Sequence, residues 1–209
     1  MKFYDCKTAP SPRRVRIFMA EKGIELPTVQ VDLRSGEQLS EAFIQVNPRC
    51  TVPVLELDDG TRLTDSLAIC HYLESRYPEP NLMGRDAREQ ALVMNWHEQI
   101  MTEGFLAAAE ALRNFAKGFA NRALTGPGDF KQIPELAERG RERLVHFMTL
   151  LDNRLAESPY VAFERYTMAD IGAFVCVDFA GWIKLPVLER WPNIRRWHQE
   201  LALRPSHSA

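Results

Sequence analysis

The sequence predicts an α/β N-terminal domain built on a four-stranded mixed sheet, followed by an all-α C-terminal domain. Three observations carry that reading. Strand-like runs occur only in the first third of the chain, interleaved with helical ones. The segment Tyr77-Pro78-Glu79-Pro80-Asn81-Leu82 then sets two prolines close together, which makes a stiff, extended connector. Beyond it the apolar residues recur only at helical spacing. The expected boundaries are 1–80 for the sheet domain, 81–86 for the linker and 87–209 for the helical domain.

Taken in order, Lys2 to Asp5 reads as a short strand. Pro12 to Glu21 reads as a helix, with Val15, Phe18 and Met19 at three-to-four spacing and Gly23 as its stop. Thr28 to Leu33 alternates like a strand, and Glu41 to Val46 is a short helix ending before Asn47-Pro48. Thr51-Val52-Pro53-Val54-Leu55 is a strand entered through a proline; Asp58-Asp59-Gly60 turns it, and Arg62-Leu63-Thr64 returns. A helix from Asp65 to Arg76 follows, with Leu67, Ile69, Cys70, Leu73 and Tyr77 inward. The order β-α-β-α-β-β-α joins a βαβ unit to an antiparallel pair.

In the second region helical periodicity runs over 86–119, 135–157, 168–184 and 192–203, with a loop at Gly126-Pro127-Gly128-Asp129. Thr167-Met168-Ala169-Asp170 has the spacing of a capping box with Asp in place of Glu, and Tyr166 and Ile171 stand where a hydrophobic staple would. The following Ile171-Gly172-Ala173-Phe174-Val175-Cys176-Val177 is apolar nearly all round, as a helix at the centre of a domain is. This motif is structural.

Composition narrows the function. A hydrophobic fraction of 45%, a charged fraction of 26% and a net charge of −2 are those of an ordinary soluble protein with no bias toward nucleic acid. The densest basic run, Arg13-Arg14-Val15-Arg16, lies in a helical pattern and reads as a solvated face. No apolar run approaches the roughly 20 residues of a membrane span, and the N-terminus lacks the apolar core of a secretory signal. Cys6, Cys50, Cys70 and Cys176 have no metal-like spacing, and the histidines form no paired cluster. Free thiols in a reducing cytoplasm, without a metal site, are the expectation.

The hairpin holds the chemistry. A proline donates nothing to a ladder and belongs at an edge, a strand start or a bulge; X-Pro is also the peptide bond most readily cis. Asp65-Ser66 opens a helix, and helix N-termini attract carboxylates. Together they suit an extended, peptide-like ligand with a free carboxylate.

These residues resemble the cytosolic glutathione transferase family over essentially the whole chain. Residues 1–80 are similar to its thioredoxin-like domain, the capped apolar helix to the hallmark of its helical domain, and Tyr77-Pro78 to its linker start. The resemblance implies that Val52, before a cis Pro53, pairs its backbone with the cysteinyl part of glutathione. It implies that Ser66, through hydroxyl and backbone N–H, takes the γ-glutamyl carboxylate, while Asp65 supports the ammonium or simply caps the helix. Glutathione would be the co-substrate, a small hydrophobic electrophile its partner, and a homodimer the assembly.

The activating group departs from the family pattern. In members that use serine it lies six residues before the valine of an Arg-x-Val motif; counting back from Val15 reaches Ala9, which has no hydroxyl. Some bacterial relatives carry asparagine close by, and disulfide-reducing relatives of the Nu class use a Thr and an Asn two apart. Ser11, before Pro12, is then the expected N-cap and the candidate catalytic residue, with pure capping as its alternative. Thr8, Cys6 and Tyr4 are weaker candidates, Tyr4 reading better as core, and Arg13 could lend charge to a thiolate. Trp96, His97, Phe105, Arg113 and Phe115 lie on a long helix that could flank the cleft, but an aromatic stripe at this spacing is more often core or dimer contact than substrate pocket. Conjugation of glutathione to an electrophile leads; glutathione-dependent disulfide or peroxide reduction and a non-catalytic binding protein are the alternatives.

Overall fold

The computed structural model describes residues 1–209. The chain divides into two units, one of Met1–Pro80 with Thr125–Gly128 and Ala209, the other of Asn81–Leu124 with Asp129–Ser208.

In the first unit the elements are β1 (Lys2–Asp5), α1 (Pro10–Glu21), β2 (Thr28–Gln30), α2 (Glu41–Ile44), β3 (Val54–Glu56), β4 (Arg62–Leu63) and α3 (Ser66–Arg76). The sheet order is β2-β1-β3-β4. β1 pairs parallel with β2 and antiparallel with β3, and β3 pairs antiparallel with β4, which is the mixed topology expected. β2 is shorter than its alternation suggests. Asp32 leaves the strand because its carboxylate accepts from Arg34 N (2.9 Å) and its carbonyl from Ser35 Oγ (3.0 Å), a local turn that outcompetes the ladder.

α1 buries Val15, Ile17 and Phe18 completely. It stops at Gly23, whose φ of 62° is left-handed; Ile24 N bonds Met19 O (2.9 Å) and Gly23 N bonds Ala20 O (3.2 Å), a Schellman ending. Ile69, Cys70 and Leu73 of α3 are buried and Leu67 partly so. Tyr77 differs from expectation: it lies past the helix and is 38% exposed. Pro78 behind it disfavours helical backbone, and Tyr77 turns out at φ −132° and ψ 81°. The Lys22 ammonium, fully buried, holds this corner through Glu74 and the carbonyls of Tyr77 and Pro80, each at 2.7 Å.

The second unit begins with an anchored segment. Asn81 Oδ1 accepts from Gly84 N and from Arg165 Nη2 at 3.0 Å each, and Leu82 O accepts from Met168 N at 2.9 Å. Its main helices are α4 (Ala87–Gln99), α5 (Leu106–Phe115), α6 (Pro134–Glu157), α7 (Met168–Ala180), α8 (Val187–Arg190) and α9 (Pro192–Ala202). The periodic stretch 86–119 is therefore two helices, joined by a π-helical turn at Ile100–Phe105. One carbonyl loosened there, Thr102 O, accepts from Arg143 Nη2 at 2.7 Å. Gly104 in this turn has no room for a side chain: a Cβ would stand 2.7 Å from Cys176 Sγ and 2.9 Å from the Phe147 ring. At Gly140 a Cβ would meet Ala107 O and Ala111 N at 2.7 Å, so α5 and α6 touch backbone to backbone.

α7 is buried along nearly its whole length, and its capping box forms as the sequence predicts. Thr167 Oγ1 accepts from Ala169 N (3.3 Å), and Asp170 Oδ2 accepts from Thr167 N (2.9 Å). Asp170 does more than cap. Its Oδ1 also accepts from Val161 N (2.9 Å) and Trp197 Nε1 (3.1 Å), fastening the preceding loop and α9 to one carboxyl. Burial pushes that carboxyl up to about 6, against the pull of its donors. No helix is long and apolar enough to cross a membrane.

Candidate functional site

The site grows from three loops of the first unit. The first joins β1 to α1. Asp5, at 1% exposure, accepts from Arg16 Nη1 and Gln30 Nε2 at 2.6 Å each, and Arg16 Nη2 also donates to Lys7 O at 2.9 Å. The loop is thus tied to the helix it feeds. Arg14 is buried at 3%, so the run Arg13 to Arg16 is not the solvated face expected. Arg14 stands three and four residues before the buried Ile17 and Phe18, a spacing that could have placed it inward.

α1 begins two residues earlier than predicted. Its N-cap is Ala9, with φ −90° and ψ 139°, and Ser11 lies inside the first turn rather than capping it. Pro10 and Pro12 flank it. A proline supplies no N–H, and Arg13 N is spent on Ala9 O at 3.4 Å. Ser11 is consequently the one residue of this turn that offers both an N–H and a hydroxyl. The absent serine at Ala9 leaves a small apolar cap packed against the Tyr4, Phe43, Val52 and Val54 cluster.

The second loop leads into β3. Asn47, 1% exposed, donates from Nδ2 to Thr51 O (2.8 Å) and Thr51 Oγ1 (3.1 Å), and accepts at Oδ1 from Arg49 N (3.0 Å). It clamps a turn in which Cys50 has a left-handed φ of 54°. The Val52–Pro53 peptide is cis. The β1–β3 ladder ends at the Tyr4–Val54 pair, so Val52 lies beyond it. Asn47→Ala should lower the unfolding free energy by about 2 kcal/mol, since it removes three bonds made by a buried side chain. Chemical denaturation checks this; a loss below about 0.5 kcal/mol would show that the clamp is dispensable.

The third loop is the start of α3. Asp65 occupies the N-cap position, yet its carboxylate makes no capping bond. It turns outward to Arg49 Nη1 at 3.0 Å, both side chains about two-thirds exposed (68% and 65%). An exposed pair of this kind contributes little to stability, so capping is not what Asp65 does. Ser66 is 4% exposed; its Oγ donates to Ser11 O at 2.9 Å and accepts from Arg14 Nη2 at 3.2 Å. The N-terminal turns of α1 and α3 therefore meet through one hydroxyl.

The weaker candidates separate from this cluster. Tyr4 is 8% exposed in the core, edge-on to Phe43 at 6.2 Å. Cys6 is buried beside Thr8, with Sγ and Oγ1 3.5 Å apart. In the helical unit His97 and Phe105 are buried, Phe105 against Phe179 at 6.0 Å, Trp96 is partly buried and Phe115 is 76% exposed. Arg113 is structural: it donates to the carbonyls of Arg122, Ala123 and Leu124 and lies over Phe119. These residues do not share one face. Sequence reasoning missed Arg14 and Arg49, the two arginines that contact Ser66 and Asp65.

Comparison with known proteins agrees with this geometry. Residues 8–76 match the family described as Glutathione S-transferase, N-terminal domain, and residues 134–200 match Glutathione S-transferase, C-terminal domain. Glutathione S-transferase 2 of Saccharomyces cerevisiae is 33% identical over 99% of this chain and 87% of its own length. A glutathione S-transferase of class Gtt2 from Vibrio parahaemolyticus superimposes with a TM-score of 0.86 at 34% identity, covering 100% of this chain and 96% of the other. A glutathione S-transferase domain-containing protein of Marinobacter aquaeolei VT8 gives 0.91 at 32%, covering 99% and 100%. With a mixed thioredoxin-like sheet, a cis proline before β3 and a capped, buried α7 in one chain, this protein belongs to the glutathione S-transferase family.

Proposed function

We propose that the enzyme ionises the thiol of glutathione at the first turn of α1 and conjugates it to a small hydrophobic electrophile. The observation that supports this best is the 2.9 Å bond from Ser66 Oγ to Ser11 O, which brings a hydroxyl-bearing helix start beside a second helix start. A tripeptide has its charged γ-glutamyl end at one extremity and its thiol in the middle. The N-terminus of α3 suits the carboxylate, because unpaired N–H groups and the helix dipole both favour an anion. Asp65, exposed and making no capping bond, suits the ammonium. The backbone of Val52, beyond the end of the ladder, suits the cysteinyl peptide group by strand addition. The Ser11 hydroxyl and N–H then face the sulfur.

Desolvation alone would raise a thiol's pKa, so the donors at Ser11 must outweigh burial. Assembly as a homodimer in the cytoplasm belongs to the same reading. Calorimetry with glutathione tests the binding half: Asp65→Ala should weaken binding by roughly tenfold, the loss of one charge-assisted contact. An unchanged Kd would remove Asp65 from the site. Assays of an aromatic halide beside a model disulfide test the chemistry; activity on the disulfide alone would replace conjugation by reduction.

A further inference from the structure

We propose that Asn47 is a positioning residue for the ligand's backbone: it aims the Val52 N–H at the cysteinyl carbonyl of glutathione. The inference rests on the reading of Val52 as the partner of the cysteinyl group. Asn47 is buried, and its side-chain amide is engaged on both ends. Nδ2 donates to Thr51 O at 2.8 Å and to Thr51 Oγ1 at 3.1 Å, while Oδ1 accepts from Arg49 N at 3.0 Å. A carbonyl oxygen only accepts, so the flipped amide would set oxygen against oxygen. The grip on Thr51 has one orientation. Asn47 is itself anchored: its N donates to Phe43 O at 2.8 Å, and its O accepts from Cys50 N at 2.9 Å.

Thr51 O and the Val52 N–H belong to one peptide unit. That unit is planar and trans, the cis bonds of the chain being Val52–Pro53 and Glu79–Pro80. In a trans unit the N–H points opposite to the C=O. Asn47 draws Thr51 O towards the buried side of the turn, so the Val52 N–H faces the other way. No acceptor of the chain takes this N–H, and no donor takes Val52 O. Pro53, next in line, has no N–H to offer in its place. The donor half of a strand-like pairing with the ligand thus depends on a side chain five residues earlier. Val52 O lies in the following peptide unit, which Asn47 does not touch.

Asn47→Asp keeps the shape and the bond from Arg49 N, but at neutral pH it has no proton for Thr51 O. Calorimetry on protein shown folded by circular dichroism should find glutathione bound roughly fivefold to tenfold more weakly, the worth of one aligned backbone bond. Turnover at saturating glutathione should stay within about twofold, because the sulfur's donors lie on α1. A second ligand isolates the bond. In glutathione whose Cys–Gly amide is replaced by an ester, the cysteinyl carbonyl is a poorer acceptor. The unmodified enzyme should bind this ester roughly fivefold more weakly than glutathione, whereas Asn47→Asp should bind the two within about twofold of each other. An unchanged glutathione Kd in Asn47→Asp, or the same ester penalty in both enzymes, would overturn the proposal and leave Asn47 a clamp for stability alone. Should Asn47→Asp fail to fold, Asn47→Ala removes the same grip without a buried charge, and it must raise the Kd and erase the ester penalty alike. Failure of the underlying reading looks different: the unmodified enzyme would then bind no glutathione, or bind it and the ester equally, which would remove Val52 from the site and the proposal with it.

Discussion

Ser11→Ala is expected to lower turnover of an aromatic halide roughly 10²-fold, the range for loss of one preorganised donor to a developing anion. Glutathione should still bind within about threefold of its original Kd, because the peptide's charged end and backbone are held elsewhere. An ordinary thiol ionises at about 8.5 and needs help at neutral pH. On the proposed reading the help is concentrated: Pro10 and Pro12 have no N–H, so once the hydroxyl is removed only the N–H of residue 11 remains in this turn. The defect should therefore shrink as pH rises from about 6 to about 9, where the thiol ionises unaided. Steady-state rates across that range decide the matter. Equal turnover by the two enzymes at neutral pH removes Ser11 from the chemistry.

Asp170→Ala is expected to destabilise the helical unit by at least about 3 kcal/mol, since it strands four buried donors: Val161 N, Thr167 N, Thr167 Oγ1 and Trp197 Nε1. The large effect comes from what the carboxyl joins, namely a loop, the start of α7 and the face of α9. Urea unfolding followed by circular dichroism measures it; a loss under about 1 kcal/mol would mean that other contacts hold these elements. The group also titrates. Its folded pKa, about 6, lies above the reference of 3.8, so the folded state binds the extra proton between those values. Its contribution is then fully present below the lower value and declines as pH rises to about 6. The stability difference between the unmodified enzyme and Asp170→Asn should narrow over that interval and stay level above it.

Much of this architecture could be read from residues whose chemistry permits few placements. Pro53 had to stand at a strand's start, and Thr167 with Asp170 could hardly be other than a cap before so apolar a helix. The start of α1 was less legible. Both Pro10 and Pro12 suit a first turn, and Pro12, whose fixed φ fits a first helical position, argued for a start there with Ser11 as its cap. The earlier start prevails, and Ser11 takes helical backbone with its carbonyl bound by Ser66. Arg14 was misread because charge suggests solvent, whereas its position relative to Ile17 and Phe18 is what decides its face. The π-helical turn at Ile100–Phe105 was illegible for a different reason: its residues suit an ordinary helix, and what accompanies the change, the close approach of Cys176 and Phe147 to Gly104 and the bond from Arg143 to Thr102 O, comes from partners distant in sequence. Asp65 and Ser66 were recognised as a pair, but their division of labour depends on partners, Arg49 and Arg14, distant in sequence.

The two prolines of the first turn have a bearing on selectivity. Helix starts commonly gather phosphate or sulfate through several convergent N–H groups. α1 has no such cradle, because the residues on either side of Ser11 cannot contribute. Inorganic anions, which need many donors to repay their lost hydration, gain little there. A sulfur anion delivered by a peptide that is already bound needs only one good donor. On the proposed reading, the scarcity that makes Ser11 hard to replace would also leave the commonest anions little to hold.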